Sequence, residues 1–266
     1  MYLTHWGLSE PPFASCPDAR RFYRSPIHDE ALARLHFLVE DRRRLGLLLG
    51  PPGTGKSLLL QVFEHEARRS GAMVLRTSLY GRGTDELLSE IATGLSSAST
   101  TGSSDSIWRG IRDRLLESRF QQLPVVLLFD DGDRTDRGVH DQVCRLIKTA
   151  DHPDARLTVV MALAAKRTGR LSPDLLELAE LRVDLDAWEA SDTAGYIEQA
   201  LARSGRREPI FTSAALDALH DLAGGAPRRV NQVAQCALLA GAGSGVARIE
   251  PELVEAAARE LAAVEI

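Results

Sequence analysis

The chain has 266 residues, 44% of them hydrophobic and 26% charged, and its formal net charge is −5. This length and composition allow a full hydrophobic core, in one large domain or two modest ones, and exclude wholesale disorder. The acidic balance excludes a general polyanion binder but not a local basic patch. The three cysteines (Cys16, Cys144 and Cys236) form no CxxC pair, which excludes a zinc knuckle or a disulfide framework and is typical of a reducing compartment.

Neither a membrane anchor nor an export signal is visible in the sequence. No uncharged apolar run approaches the ~20 residues that a membrane-spanning helix needs. The opening segment, MYLTHWGLSEPPF, lacks the basic residues and the apolar stretch of an export signal. We therefore expect no integral membrane segment and a cytoplasmic location.

The first 27 residues contain four prolines and several large aromatic residues, which predicts an ordered, extended arm. After it, helical periodicity alternates with short, wholly apolar runs that are typical of buried parallel strands. Strands are predicted at 45–50, 73–78, 125–129, 156–163 and 181–185. Helices are predicted at 26–44, 56–70, 85–95, 105–120 and 137–150. This alternation predicts an α/β domain over residues 1–187, including the arm 1–27, with a five-stranded parallel sheet between two layers of helices.

The pattern changes after Trp188, because no strand-like run follows it. Helices are predicted at 191–204, 212–223, 227–241 and 250–264. Residues 188–266 are therefore expected to form a second, smaller domain that is entirely helical. Within the first domain, the Ser/Thr/Gly-rich stretch 96–105 predicts a flexible surface loop.

A phosphate-binding motif lies between the first predicted strand and the helix that follows it. The sequence GPPGTGKS at 50–57 matches G-x4-G-K-[ST] in full. Its glycines allow the backbone amides to turn toward a phosphate, and the start of the helix adds its positive dipole end. We expect Lys56 to contact the β- and γ-phosphates and the Ser57 hydroxyl to bind Mg²⁺. The alternative, a Gly-Pro turn with an incidental lysine, is weak because only three of the 32 basic residues are lysines.

The motif therefore predicts a nucleoside triphosphate and Mg²⁺ as ligands, and the adenine base of ATP is implied only by the family resemblance described below. The expected nucleotide-binding residues are Gly50, Pro51, Pro52, Gly53, Thr54, Gly55, Lys56, Ser57 and Leu58.

Two carboxylates, Asp130 and Asp131, end the apolar strand VVLLF. In phosphate-loop proteins a carboxylate at this position holds Mg²⁺ through water, and Asp130 is the expected residue. Asp131 is the expected general base for the attacking water, although its side chain is one methylene shorter than the usual glutamate. The alternative is that Asp131 and Asp133 only cap the following turn.

These features resemble the AAA+ ATPases, and the resemblance is closest to the ExeA/GspA type of the general secretion pathway. The opening MYLTHWGLSEPPFASCPDARRFYRSPIHDEALARL is similar to the family pattern YxxxFGLxxxPFxxxPDPxxFYxSxxHxxALxxL. The segment FTSAALDALHDLAGGAPRRVNQVAQCALLAG is similar to FTxxAxxxIxxxSxGxPRxINxLCxxALLxA. TniB-type transposition ATPases share much of the same core.

The resemblance implies a P-loop AAA+ core with a helical lid, and ATP hydrolysis in which Lys56, Asp131 and Arg228 take part. Arg228, in the lid motif Gly-x-Pro-Arg, would sense the γ-phosphate. His28 would lie near the adenine, although it could equally be an ordinary residue of a helix N-terminus. The resemblance also implies an ATP-dependent, ring-like homo-oligomer that remodels or recruits a protein partner in secretion or envelope assembly. Such a partner would recruit the chain to the inner membrane.

The chain departs from the family pattern in three places that bear on hydrolysis. Asp131 replaces glutamate, the segment 162–165 offers no polar sensor side chain, and the arginine finger is matched only loosely by Arg170 or Arg182. A nucleotide-dependent switch with weak or no hydrolysis is therefore an open alternative. A DNA-associated ATPase of the transposition class is another, and its basic surface would come from the arginine clusters at 42–44, 68–69, 206–207 and 228–229.

Overall fold

A computed structural model of the protein describes residues 2–13, 18–97 and 102–264. Its strands are β1 (Leu45–Gly50), β2 (Met73–Ser78), β3 (Val125–Asp130), β4 (Leu157–Ala164) and β5 (Leu181–Asp184). Its helices are α1 (Tyr2–Trp6), α2 (Pro26–Glu40), α3 (Lys56–Arg69), α4 (Thr84–Gly94), α5 (Ser104–Phe120), α6 (Arg137–Thr149), α7 (Pro173–Glu177), α8 (Ala190–Arg203), α9 (Ser213–Ala223), α10 (Pro227–Ser244) and α11 (Pro251–Val264). Short 3₁₀ turns cover Ala19–Arg21, Gly132–Arg134 and Ala165–Arg170. Cys16 and positions 98–101 of the predicted surface loop lie outside the described residues.

The five strands form one parallel sheet in the order β2-β3-β4-β1-β5, which confirms the predicted five-stranded parallel sheet. Its register places Gly50 of β1 beside Ala164 of β4, and Ser78 of β2 beside Asp130 of β3. Because all strands are parallel, their carboxyl ends meet at one edge of the sheet. In such sheets this edge is where ligands bind.

Helices cover both faces of the sheet, as predicted. Leu45, Leu47 and Leu49 of β1 belong to a buried apolar cluster that also contains residues of α4, α5, α6 and α7. The other face packs against α2, where a Cβ added at Gly46 would lie 2.3 Å from Leu38 Cδ1. The αβα layering therefore follows from strands that are apolar on both sides.

The chain divides into two compact units. The first, here called the sheet unit, comprises His28–Pro51 and Lys56–Leu185. The second, here called the helical unit, comprises the described residues of Met1–Ile27, Pro52–Gly55 and Asp186–Ile266. The sequence predicts the arm 1–27 as part of the first domain, whereas in the structure its described residues group with the C-terminal helices.

The packing of Trp6 explains why the arm lies in the helical unit. Its indole is only 2% exposed, and Nε1 donates a hydrogen bond of 2.9 Å to the carbonyl of Leu238 in α10. Ser9 N donates to the carbonyl of Ser204 at 2.8 Å. The predicted extended conformation is wrong for part of the arm, because α1 and one 3₁₀ turn lie within it.

The remaining helices follow the predictions closely, and α7 is the addition. Ser172 caps α7 with its side chain, and Pro173 occupies the first helical position. Across the described ranges, we find no helix with both the length and the apolar character needed to span a bilayer.

Candidate functional site

At two positions of the loop after β1, the backbone has a conformation that only glycine adopts readily. Gly53 and Gly55 have φ angles of +88° and +97°, in the region where a Cβ is disfavoured. Thr54 between them is buried, and Pro51 and Pro52 are exposed. The loop leaves a strand that is buried along its whole length and enters α3 at Lys56. This is the strand, loop and helix arrangement that the sequence predicts.

Lys56, Ser57 and Leu58 form the first turn of α3, where free backbone amides and the helix dipole favour an anion. Lys56 Nζ donates to the carbonyls of Gly50 at 2.8 Å and Pro51 at 2.9 Å. The ammonium group is thereby held at the start of the loop. Ser57 is exposed, so its hydroxyl is accessible to a metal ion.

Asp130 is the last residue of β3 and stands at the carboxyl edge of the sheet. Its Oδ1 accepts a hydrogen bond of 3.0 Å from Asp131 N. Only β4 separates β3 from β1, so Asp130 and Gly50 lie on strands about 10 Å apart.

Asp131 lies in the left-handed region, with φ +55° and ψ +36°. Its Oδ2 accepts a hydrogen bond of 3.0 Å from Ser78 Oγ, and Arg134 Nε lies 3.9 Å from its Oδ1. The side chain makes no capping bond to the following 3₁₀ turn. Ser78, which sequence analysis did not single out, therefore fixes the orientation of this carboxylate from the neighbouring strand.

From the sequence, Asp133 is expected only to cap a turn, but the structure gives it other partners. It is 3% exposed, and its Oδ1 accepts a hydrogen bond of 3.1 Å from Ala164 N at the end of β4. Its Oδ2 pairs with Arg167 Nη1 at 3.3 Å. In the sequence, this ion pair is indicated only by an acidic residue after one strand and a basic residue after the neighbouring strand.

Arg228 is the second residue of α10, after Pro227 at the first position. Its backbone N donates to the carbonyl of Gly53 at 3.1 Å, and its side chain is exposed. The preceding turn is fixed by Gly225, where an added Cβ would lie 2.3 Å from the carbonyl oxygen of Trp188. The helical unit therefore joins the lid motif Gly-x-Pro-Arg to the tip of the phosphate-binding loop.

The other residues singled out in the sequence have varied surroundings. His28 is buried in the first turn of α2. Arg170 is exposed, and Arg182 forms a two-pronged pair with Asp184, with Nη2 to Oδ1 at 2.8 Å and Nε to Oδ2 at 2.9 Å. The contacts of Arg170 and Arg182 within the sheet unit do not identify either of them as an arginine finger.

The arginine clusters proposed as a DNA-binding surface are partly neutralised by acidic neighbours. Their ion pairs include Arg43–Asp41 at 2.7 Å, Arg44–Asp151 at 2.8 Å, Arg44–Glu180 at 2.9 Å, Arg68–Glu64 at 2.9 Å and Arg206–Glu208 at 3.1 Å. Exposed charges that are already paired contribute less to the attraction of a polyanion.

The residues present fit a nucleoside triphosphate with Mg²⁺. The loop has two left-handed glycines, a lysine ammonium at its start and a helix N-terminus at its end. Residues 2–13, 18–97 and 102–264 contain no cluster of three or more His, Cys, Asp or Glu side chains that could hold a metal by itself. A metal held by one hydroxyl and one carboxylate, with phosphate and water as further ligands, is the usual arrangement for Mg²⁺.

The sequence is similar to a known family and to a known secretion protein. The family model described as AAA domain matches residues 39–171. General secretion pathway protein A of Aeromonas hydrophila is 31% identical over 274 aligned positions, which include 99% of this chain. The chain spans about half (49%) of the length of that relative.

Solved structures show the same fold at low sequence identity. Cdc6p of Pyrobaculum aerophilum superposes with a TM-score of 0.71 at 20% identity, covering 91% of this chain and 71% of that one. The ORC1 protein of Aeropyrum pernix, solved in complex with DNA, has a TM-score of 0.69 at 18% identity and coverages of 95% and 71%. At these identities the likeness establishes the fold alone.

Proposed function

Because the chain belongs to the AAA domain family, we propose that it binds ATP with Mg²⁺ through residues 50–58, hydrolyses it, and couples this cycle to self-assembly and to a protein partner. The loop carries the proposal. Its left-handed glycines at 53 and 55, with Lys56 held at its start, form a site for a polyphosphate. A polyphosphate accounts both for the two glycines and for the lysine at the start of α3.

Each side chain has a defined part in the proposed reaction. Lys56 exchanges its carbonyl partners for the β- and γ-phosphate oxygens, which are stronger acceptors for an ammonium. Ser57 and, through a water molecule, Asp130 would hold Mg²⁺, which would supply positive charge against the phosphates. Asp131 orients the attacking water and accepts its proton.

Arg228 and His28 complete the proposed nucleotide contacts. Arg228 senses the γ-phosphate, and its backbone bond to Gly53 ties the start of α10 to the loop that holds the nucleotide. His28 lies close to the adenine. In functional terms we assign residues 1–187 to the nucleotide-binding part of the chain and residues 188–266 to its lid.

Two observations support the proposed oligomer and protein partner: the contact between the lid and the loop, and the similarity to a secretion protein. A nucleotide cycle that alters a lid contact provides two states that other chains can distinguish. We therefore propose an ATP-dependent ring-like oligomer and a protein partner in a secretion or envelope assembly. The similarity to general secretion pathway protein A of Aeromonas hydrophila, of which the chain spans about half, supports the secretion assignment.

Steady-state phosphate release tests the enzymatic part. We expect measurable turnover by the unchanged chain, loss of turnover in Lys56→Ala, and a rate reduced by two to four orders of magnitude in Asp131→Asn, roughly the usual contribution of a general base. Light scattering with and without ATP measures the assembly. Negligible turnover that Asp131→Asn leaves unchanged would exclude hydrolysis.

A nucleotide-dependent switch with weak hydrolysis is the second candidate function. It is favoured by Ala164, which ends β4 without a side-chain donor, and by the short carboxylate of Asp131 bonded to Ser78. ATP-dependent assembly without phosphate release would support the switch and exclude the remodelling enzyme.

A DNA-associated role has less support, because several of its candidate arginines are paired with acids. DNA binding that is absent even at low ionic strength would exclude it, since phosphate contacts are strongest there.

A further inference from the structure

A buried histidine near the start of α6, His140, contacts the turn that follows Asp131. The whole residue is shielded from solvent. Its Nε2 lies 2.9 Å from the carbonyl oxygen of Gly132. Because a carbonyl oxygen only accepts hydrogen bonds, Nε2 carries the hydrogen and donates it. His140 therefore fixes the backbone of the residue that comes directly after the proposed general base.

The other ring nitrogen of His140 is buried without a partner. Nδ1 makes no hydrogen bond with any residue that the structure describes. A buried polar atom that lacks a partner is costly, and an apolar side chain of similar size avoids that cost. Packing alone therefore does not account for a histidine at this position, whereas its bond to Gly132 does.

The turn that receives this bond also packs against β4. Gly132 is buried, and a Cβ added there would lie 2.4 Å from Met161 Cγ. Asp133 Oδ1 accepts a hydrogen bond of 3.1 Å from Ala164 N. The backbone after Asp131 is thus held from two directions, by β4 and by the histidine ring of α6.

Asp131 has a backbone conformation that requires such support. Its φ of +55° and ψ of +36° lie in the left-handed region, which a residue with a Cβ adopts at some cost. Ser78 Oγ donates to one carboxylate oxygen of Asp131 at 3.0 Å and so orients the side chain. His140 acts on the backbone instead, through the carbonyl of the next residue.

We propose that His140 is a positioning residue for ATP hydrolysis: by holding the Gly132 carbonyl, it keeps the Asp131 carboxylate where it accepts the proton of the attacking water. This inference rests on the proposed function, and on hydrolysis in particular. His140 acts only through Asp131. Displacing a catalytic group by about 1 Å can cost roughly a hundredfold in rate, so a fixed turn at this point matters for turnover.

Phosphate release with Mg-ATP, measured together with equilibrium ATP binding, tests the role of His140. We expect His140→Leu, which has a similar size but no donor, to lower kcat by roughly tenfold to a hundredfold. Its affinity for Mg-ATP should stay within about twofold, because the lost interaction serves the chemical step and not binding. His140→Gln should restore most of kcat, since its amide nitrogen can donate to the same carbonyl.

A double variant shows whether His140 acts through Asp131. Once Asp131→Asn has removed the general base, adding His140→Leu should slow single-turnover phosphate release by less than about twofold, because residues that act as a unit are not additive. A purely structural role would slow both backgrounds by the same factor. His65→Leu is the matched control, since His65 is exposed on α3 and its Nδ1 bonds the Gln61 carbonyl at 2.8 Å. It should leave kcat unchanged.

The outcomes separate this inference from the proposed function. An unchanged chain that releases no phosphate overturns the proposed hydrolysis and this inference with it. If the unchanged chain turns over, three results overturn this inference alone: an unaltered kcat in His140→Leu, no recovery in His140→Gln, or equal slowing in the Asp131→Asn background. Unfolding midpoints are measured for every variant. His140→Asn, whose amide is too short to replace Nε2, takes the place of His140→Leu if the leucine variant does not fold.

Discussion

Trp6 provides a direct test of how the N-terminal arm contributes to the helical unit. Its indole is 2% exposed and packs so closely on α10 that a Cβ at Gly241 would lie 2.8 Å from its Cζ2. Trp6→Ala removes this contact and the hydrogen bond to the Leu238 carbonyl. Truncations of buried aromatic residues cost about 3–5 kcal/mol, and we expect Trp6→Ala to fall in that range.

Trp6→Phe separates packing from hydrogen bonding. Phenylalanine keeps most of the apolar contact, and the Leu238 carbonyl retains its partner within α10, so no buried acceptor is left alone. The expected cost is therefore only that of one hydrogen bond and some lost contact, about 0.5–1.5 kcal/mol. We therefore expect Trp6→Ala to lower the unfolding free energy clearly more than Trp6→Phe does.

Urea and thermal unfolding followed by far-ultraviolet circular dichroism measure these effects. A loss of 3–5 kcal/mol corresponds to a fall of roughly 6–20 °C in the midpoint. Phe120→Ala is the matched control, since Phe120 is 77% exposed and its truncation should change the unfolding free energy by no more than about 0.5 kcal/mol. A Trp6→Ala variant within about 1 kcal/mol of the unchanged chain would refute the packing of the arm on α10.

Three further predictions concern the helical unit and the loop. Gly225→Ala is expected to lower the unfolding midpoint by several degrees, because its Cβ would lie 2.3 Å from the Trp188 carbonyl oxygen at a φ of +64°, and equal midpoints would contradict this. Gly53→Ala, at φ +88° and with its Cβ 3.3 Å from the Arg228 Cβ, should weaken ATP binding in titrations, and unchanged affinity would contradict the loop geometry. Burial raises the pKa of Tyr196 to about 12, and its hydroxyl donates to Asn231 Oδ1 at 2.6 Å. The folded state then holds a proton that the unfolded state has lost, so Tyr196 should contribute a fall in the unfolding free energy of about 1.4 kcal/mol per pH unit between pH 10 and 12, and Tyr196→Phe should remove that contribution in alkaline titrations.

Much of the sheet unit could be predicted from the sequence for a physical reason. A parallel strand buried on both faces must be apolar throughout, so runs such as residues 45–50 and 125–129 are recognisable without knowledge of their neighbours. The loop at 50–57 was predictable as well, because glycine and lysine spacing reflects local backbone requirements.

The features that sequence analysis missed depend on contacts between distant positions. The five-residue helix α1 is too short to be stable by itself and depends on Trp6, whose hydrogen-bond partner Leu238 is 232 residues away. The pair of Asp133 and Arg167 spans 34 residues and two loops. Neither contact leaves a periodic pattern. The helix α7 is different, because Ser172 and Pro173 are typical of a helix start. It was not predicted because it has only five residues.

The central claim is that the loop at 50–57 holds the phosphates of ATP, and calorimetric titration of Mg-ATP into the protein tests it most directly. Lys148→Ala is the control for Lys56→Ala, because Lys148 is an exposed lysine on α6 outside the site. We predict saturable binding by the unchanged chain and by the control, and an affinity at least about tenfold weaker in Lys56→Ala, since a charge-assisted phosphate contact is lost. Equal affinities for all three proteins, with the variants folded, would contradict the account.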